Sequence, residues 1–201
     1  KWLKESGLES EIKKFSSLNK PVIGICGGYQ MLGKEVRDPM HTESQLDGTP
    51  GLGLLDMVTT FSAEKLTSQV IAACHGLHFL GQTIDAENLH GYEIHMGETE
   101  FTGEGDEHPL VITERANEAV NATEGTVRAD GLVFGTYIHG VFDHDEFRRS
   151  IINALRGKKG LPALENKRNI YAEKQRAYDN LAEKVRAALD MDKLYKILGE
   201  Q

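Results

Sequence analysis

Residues 21–33, Pro-Val-Ile-Gly-Ile-Cys-Gly-Gly-Tyr-Gln-Met-Leu-Gly, limit what this chain can fold into more than any other segment. Val22 to Ile25 is a short apolar run bounded by proline and glycine, the pattern of a buried strand. Gly24-Ile25-Cys26-Gly27-Gly28 then follows the Gly-x-nucleophile-x-Gly spacing, with cysteine in the nucleophile position. That spacing demands a sharp turn from strand into helix, and glycine leaves the backbone room to make it. Cys26 would stand at the first turn of a helix over residues 27–34, where the positive end of the helix dipole favours a thiolate. The alternative, a small buried hydrophobe, does not account for the glycines around it. The elbow therefore commits the chain to a strand–turn–helix unit and to the α/β class.

The rest of the pattern alternates in the same way. An amphipathic helix is expected over residues 2–15, with Leu3, Leu8, Ile12 and Phe15 on one face. Residues 35–53 read as loop, broken by Asp38-Pro39, Asp47-Gly48 and Pro50-Gly51. Strands are expected over residues 54–61, 69–79, 89–96, 110–113 and 131–139, and an acidic surface loop over 97–108. Asp143-x-x-Glu146 reads as a capping box that opens a helix through Leu155. After a break at residues 157–164, Ala177, Leu181, Val185 and Leu189 keep helical spacing, and a short helix closes the chain over 191–198. The expected organisation is a main domain over residues 1–156, with a helical extension over 157–201 packed on it.

A second chemistry-bearing segment is Gly135-Thr136-Tyr137-Ile138-His139-Gly140. An apolar strand carries His139 to its C-terminal end, where sites gather in open α/β sheets. A cysteine and a histidine delivered to neighbouring strand ends form the minimum set for thiol acyl transfer, the imidazole taking the thiol proton and returning it to a leaving amine. A formal net charge of −8 and the lack of a basic patch argue against a nucleic-acid partner. No apolar run is long enough to span a bilayer, so no membrane association is expected. Two cysteines make no disulfide framework, and a reducing cytoplasm is the expected compartment. Cys74-His75-x-x-His78 hints at a metal, but those residues alternate along a strand, so no metal site is expected.

Taken together, Gly24 to Gly33, Gly51-Leu-Gly-Leu-Leu55, Thr59-Thr-Phe61, Gly91-Tyr-Glu-Ile-His-Met-Gly97 and Gly135-Thr-Tyr-Ile-His-Gly-Val-Phe142 resemble the glutaminase domain of the cobyric acid synthase family. The resemblance extends over nearly the whole chain, including the helical end from Arg149 to Gly199. It implies a three-layer, flavodoxin-like sheet of the class I glutamine amidotransferase type. It also implies that the first strand and a glycine loop with a second oxyanion donor belong upstream of this N-terminally truncated piece, so that the isolated piece would be inactive. On this reading Cys26 attacks the side-chain amide of glutamine, His139 is base and acid, the Gly27 N–H is an oxyanion donor and Gln30 positions the substrate. His95 is read as lining the substrate site, the alternative being a hydrogen bond inside its strand.

Ammonia would then amidate carboxylates of adenosylcobyrinic acid a,c-diamide in cobalamin biosynthesis. No cofactor is expected on this chain, which carries no phosphate-binding Gly-x-x-x-x-Gly-Lys-Ser/Thr loop. ATP and Mg²⁺ are expected at an upstream synthetase domain, the implied partner. Many class I enzymes carry His-x-Glu, but Val141 occupies that third position, which fits either a Cys–His dyad or an orienting acid from elsewhere, with Asp143, Glu93 and Glu98 as the candidates. The competing readings are a glutaminase subunit that amidates a cell-wall lipid precursor, a cysteine hydrolase of similar fold, and a non-catalytic docking module for a synthetase.

Overall fold

A computed structural model describes residues 2–165 and 168–199. Residues 166, 167, 200 and 201, which the expected C-terminal extension includes, lie outside the described residues. Two compact units are present, residues 1–165 and residues 166–201.

The first unit opens with α1 (Trp2–Glu5) and α2 (Leu8–Ser17), divided by Gly7 in the left-handed region at φ 78°. That glycine splits the single helix expected over residues 2–15. β1 (Val22–Ile25) and α3 (Gly27–Leu32) follow, as the elbow spacing requires. β2 (Glu35–Arg37), β3 (Gly48–Pro50), β4 (Met57–Phe79), β5 (Gln82–Phe101), β6 (Leu110–Arg115), β7 (Glu118–Glu124), β8 (Thr126–Val127), β9 (Val133–Thr136) and β10 (Ile138–His139) then build two sheets. A 3₁₀ turn (Val141–Asp143) leads into α4 (Asp145–Lys158).

β1 runs parallel to β9, from Val22 opposite Val133 to Ile25 opposite Thr136, and β8 pairs antiparallel with β9. The larger sheet has the order β10-β5-β4-β2-β3, with β6 against β4 and β7 against β6. The chain thus leaves the first sheet at Thr136 and enters the second at Ile138.

Two apolar clusters hold this arrangement. Phe79, Leu89, Leu110, Phe134 and Ile138 pack against Phe147, Ile151 and Ala154 of α4. Positions 147, 151 and 154 form one stripe of an amphipathic helix. Full burial of Phe147 and of Ile151 each stabilises by roughly 1.5–3 kcal/mol. Tyr29, Leu32, Leu55, Met57, Val133 and Tyr137 form the second cluster, beneath the elbow.

Several elements depart from expectation for identifiable reasons. The strands expected over 54–61 and 69–79 are one strand, β4, with an irregularity between Thr60 and Lys65. The polar stretch 97–101 is strand because β5 pairs with β4 as far as Phe101 opposite Met57, and the Thr59 and Thr99 hydroxyls bond across the pair at 2.9 Å. β2 and β3 form inside the expected loop because β4 offers β2 a parallel edge. β7 returns on β6 through Ala116 and Asn117, both left-handed at φ 52° and 66°. Two positive φ values suit a two-residue hairpin, although alanine is not a residue that announces one. The cap of α4 is His144, whose Nδ1 accepts from the Phe147 N–H at 3.3 Å, rather than Asp143.

In the second unit, α5 (Ile170–Ala188) and α6 (Met191–Leu198) are capped by Asn169 and Asp190, whose side-chain oxygens accept from Ala172 N and Lys193 N.

Candidate active site

The elbow forms as the glycine spacing requires. Cys26 sits at φ 54°, ψ −118°, a conformation that costs a non-glycine residue free energy and that gathers at functional sites. Its N–H donates to the Thr136 carbonyl at 2.9 Å, extending the β1–β9 ladder by one residue, and its carbonyl accepts from Gln30 N at 3.1 Å to start α3. The N–H groups of Gly27 and Gly28 belong to the first helical turn, which has no preceding carbonyl to bind. A side chain on either glycine would meet open space, so the face beside Cys26 is clear. Gly135, in contrast, is required by close approach, since a Cβ there would lie 2.1 Å from the Tyr29 ring.

His139 stands on the other sheet. β10 pairs with β5, setting Ile138 opposite Glu93 and His139 opposite Tyr92. The Cys26 thiol donates to the Ile94 carbonyl of β5 at 3.2 Å. Cys26 and His139 are therefore both keyed to one segment of β5, two residues apart. Gly91 permits this, because a Cβ on it would fall 2.4 Å from the His139 carbonyl oxygen. The His139 ring stacks on Tyr92, centroids 4.9 Å apart and planes within 4°. Among the described residues, His139 Nε2 is buried with no hydrogen-bond partner.

A cavity of about 270 Å³ opens on this segment, lined by Gln30, Glu43, Phe61, Lys65, Ile94, His95 and Met96. Gln30 is buried and its amide donates to the Met96 carbonyl at 3.1 Å, fixing the strand that the thiol touches. The loop carrying Glu43 is anchored by Asp38, whose carboxylate accepts from Thr42 N and Oγ1, Glu43 N and Ser44 N. Burial opposes the Asp38 charge, but these donors outweigh it and hold the carboxyl down at about 2. The cavity wall thus presents one cation, Lys65, and one anion, Glu43.

A second cavity of about 190 Å³ shares His95 with the first and is lined by Glu93, Arg115, Glu124 and Tyr137 among others. His95 stacks on Tyr137 at 4.0 Å, its Nδ1 lies 3.3 Å from the Gly97 carbonyl and its Nε2 lies 3.7 Å from Glu93. Burial raises the Glu93 carboxyl, but His95 and Arg115, the latter at 2.9 Å, more than offset this and leave it lowered. Glu124 is fully enclosed, and burial pushes it up to about 7 against the pull of its Thr136 and Tyr137 hydrogen bonds.

Of the residues singled out in the sequence, Cys26 and Gly27 follow β1, His139 ends β10, and Gln30 and His95 line the cavity beside Ile94. Of the orienting acids considered, Glu93 gives its carboxylate to Arg115 and His95, and Asp143 lies in the turn after Gly140. Cys74 is buried, and desolvation pushes its thiol up to about 12. Its neighbours His75 and His78 turn to separate acids, Glu87 and Glu107. Among the described residues, no three His, Cys, Asp or Glu side chains group as metal ligands, and no helix is long and apolar enough to cross a membrane. Sequence reading missed Glu43, Lys65 and Glu124. Each is one charge on a loop or strand with no periodic signal; strand pairing brings Lys65 and Glu124 to the cavities, and the Asp38-anchored loop brings Glu43.

An α/β domain with a cysteine elbow and a strand-end histidine defines the class I glutamine amidotransferase type. A chain in the structure of PurLQS from Thermotoga maritima shares this fold, with a TM-score of 0.53 at 17% identity over 74% of this chain and 68% of that one. The CobB/CobQ-like glutamine amidotransferase domain family matches residues 1–147, and the chain belongs to that family. Its relatives include the cobyric acid synthases of Caldanaerobacter subterraneus subsp. tengcongensis, 42% identical over 98% of this chain and 39% of that protein, and of Moorella thermoacetica, 42% identical over 98% and 38%. That of Clostridium botulinum strain 657 is 44% identical over 98% and 38%. The chain thus spans under two-fifths of the length of these curated relatives.

Proposed function

We propose that this chain is the glutaminase part of a cobyric acid synthase, releasing ammonia from glutamine through a Cys26 thioester. The observation that carries the reading is the Cys26 thiol on the Ile94 carbonyl, at the edge of a cavity that offers Lys65 and Glu43. One cation and one anion suit a zwitterionic amino acid, with Lys65 receiving the α-carboxylate and Glu43 the α-ammonium group. Gln30 and His95 shape the wall around the side chain.

His139 Nε2 takes the Cys26 proton as sulfur attacks the amide carbon, and the tetrahedral oxygen turns toward the Gly27 N–H. A single oxyanion donor of this kind is worth about 3–4 kcal/mol. The same imidazole returns the proton to the departing nitrogen as the C–N bond breaks, leaving a thioester and ammonia. His139 then deprotonates water, which attacks the thioester, and glutamate leaves as the Cys26 thiol is restored.

Ammonia passes to a synthetase part of the protein, where ATP and Mg²⁺ activate carboxylates of adenosylcobyrinic acid a,c-diamide for amidation in cobalamin biosynthesis. The naming of the relatives and the short span of this chain within them support such a partner. A reducing cytoplasm suits a protein whose two cysteines are free. In the protein together with its synthetase part, Cys26→Ala should abolish amidation driven by glutamine while amidation driven by free ammonium persists. Undiminished glutamine-dependent amidation in that variant would overturn the proposal. Amidation of a cell-wall lipid precursor in place of the corrinoid would favour the alternative acceptor.

A further inference from the structure

The chain changes sheets across one residue, Tyr137, between the end of β9 and the start of β10. At such a switch the backbone loses its ladder partners. Here Glu124, at the end of β7, replaces them. Its Oε1 accepts from Tyr137 N at 2.6 Å and its Oε2 accepts from the Thr136 hydroxyl at 2.6 Å. The same hydroxyl accepts from Ile138 N at 3.0 Å. One buried carboxyl therefore organises three consecutive residues. Thr136 also receives the Cys26 N–H on its carbonyl, and His139 follows Ile138 directly.

We propose that Glu124 is a positioning residue for Cys26 and His139, setting the sheet switch between Thr136, which receives the Cys26 N–H, and the strand that carries the imidazole. This rests on the assignment of Cys26 and His139 as nucleophile and base. Glu124 touches no reacting atom; it acts through Thr136, Tyr137 and Ile138. A site that needed only packing at this point would be served by an apolar side chain, since an enclosed carboxyl is costly to bury. Tyr137 lines the second cavity and stacks on His95, which both cavities share.

The test compares Glu124→Ala with Glu124→Gln, and Thr136→Val with Thr136→Ser, in the protein together with its synthetase part. The readouts are kcat and KM for glutamine hydrolysis and the rate of Cys26 alkylation by iodoacetamide as a function of pH. A displaced base should lower kcat by about a hundredfold in Glu124→Ala and Thr136→Val with KM within about threefold. The pH profile of Cys26 alkylation should move in both, while Glu124→Gln and Thr136→Ser recover most of the native kcat. The threonine pair keeps the test decisive if Glu124→Ala fails to fold. Native kcat in Glu124→Ala or Thr136→Val, or equal losses in the conservative variants, would overturn the proposal, as would an unmoved alkylation profile. Native protein that alkylates at Cys26 but does not hydrolyse glutamine would instead overturn the functional reading, and the alkylation profiles would still judge Glu124.

Discussion

Gly91 offers the sharpest test of how β10 carries His139, the proposed base. An alanine Cβ at this position would lie 2.4 Å from the His139 carbonyl oxygen and 2.5 Å from Ile138 Cγ2, whereas ordinary contact begins at 3.4 Å. Both obstructing atoms belong to β10, and one is backbone, so rotamer change alone cannot relieve the clash. β10 must retreat by about 1 Å, a displacement that costs about a hundredfold in rate when it falls on a catalytic group. Overpacking of this kind destabilises by about 1–3 kcal/mol, leaving room for a folded variant. Glutamine hydrolysis should show kcat down about a hundredfold with KM within about threefold, since Lys65 and Glu43 do not sit on β10. Gly105→Ala, where an added Cβ meets nothing within 4 Å, is the matched control and should be silent. A Gly91→Ala protein with native kcat would refute the claim that β10 must sit this close to β5 for His139 to act.

Three further outcomes follow from the same geometry. Asp38→Ala releases the loop that carries Glu43, so KM for glutamine should rise about tenfold with kcat nearly unchanged, in steady-state kinetics. Gly135→Ala drives a methyl into the Tyr29 ring and should destabilise by about 1–3 kcal/mol or more, measured by urea denaturation. Glu124 has a folded pKa of about 7, raised from 4.5, so its contribution to stability is full below pH 4.5 and is lost as pH rises through 7. That loss amounts to about 3 kcal/mol, and Glu124→Gln, which cannot ionise, should show a correspondingly flatter fall between those pH values. Parallel stability curves for the two proteins would contradict the assignment.

The parts of the fold that local chemistry dictates were legible in the sequence. The Gly24–Gly28 spacing announced the elbow, and the apolar run before His139 announced a strand end. The departures lie where tertiary pairing decides the outcome. β2 and β3 are strands only because β4 offers an edge, and β7 turns on an Ala116–Asn117 pair without a strong turn signal. The site divides in the same way. The strand ends that carry Cys26 and His139 could be read from the apolar runs before them, while Gln30 entered only through the Cys-x-x-x-Gln pattern of the family resemblance. Lys65 stands beside an irregularity in β4 that no alternation foretells, and Glu124 is one glutamate in a half-exposed strand. Their place at the cavities comes from which strand lies beside them.

The central claim is that Cys26 is a nucleophile activated by His139 in a glutamine pocket. Its most direct test is mass spectrometry of the protein after exposure to an electrophilic glutamine analogue. One adduct should form, on Cys26 and not on the buried Cys74, free glutamine should slow it, and His139→Ala should slow it at least tenfold. An adduct on Cys74, no adduct at all, or an unchanged rate in His139→Ala would contradict the account.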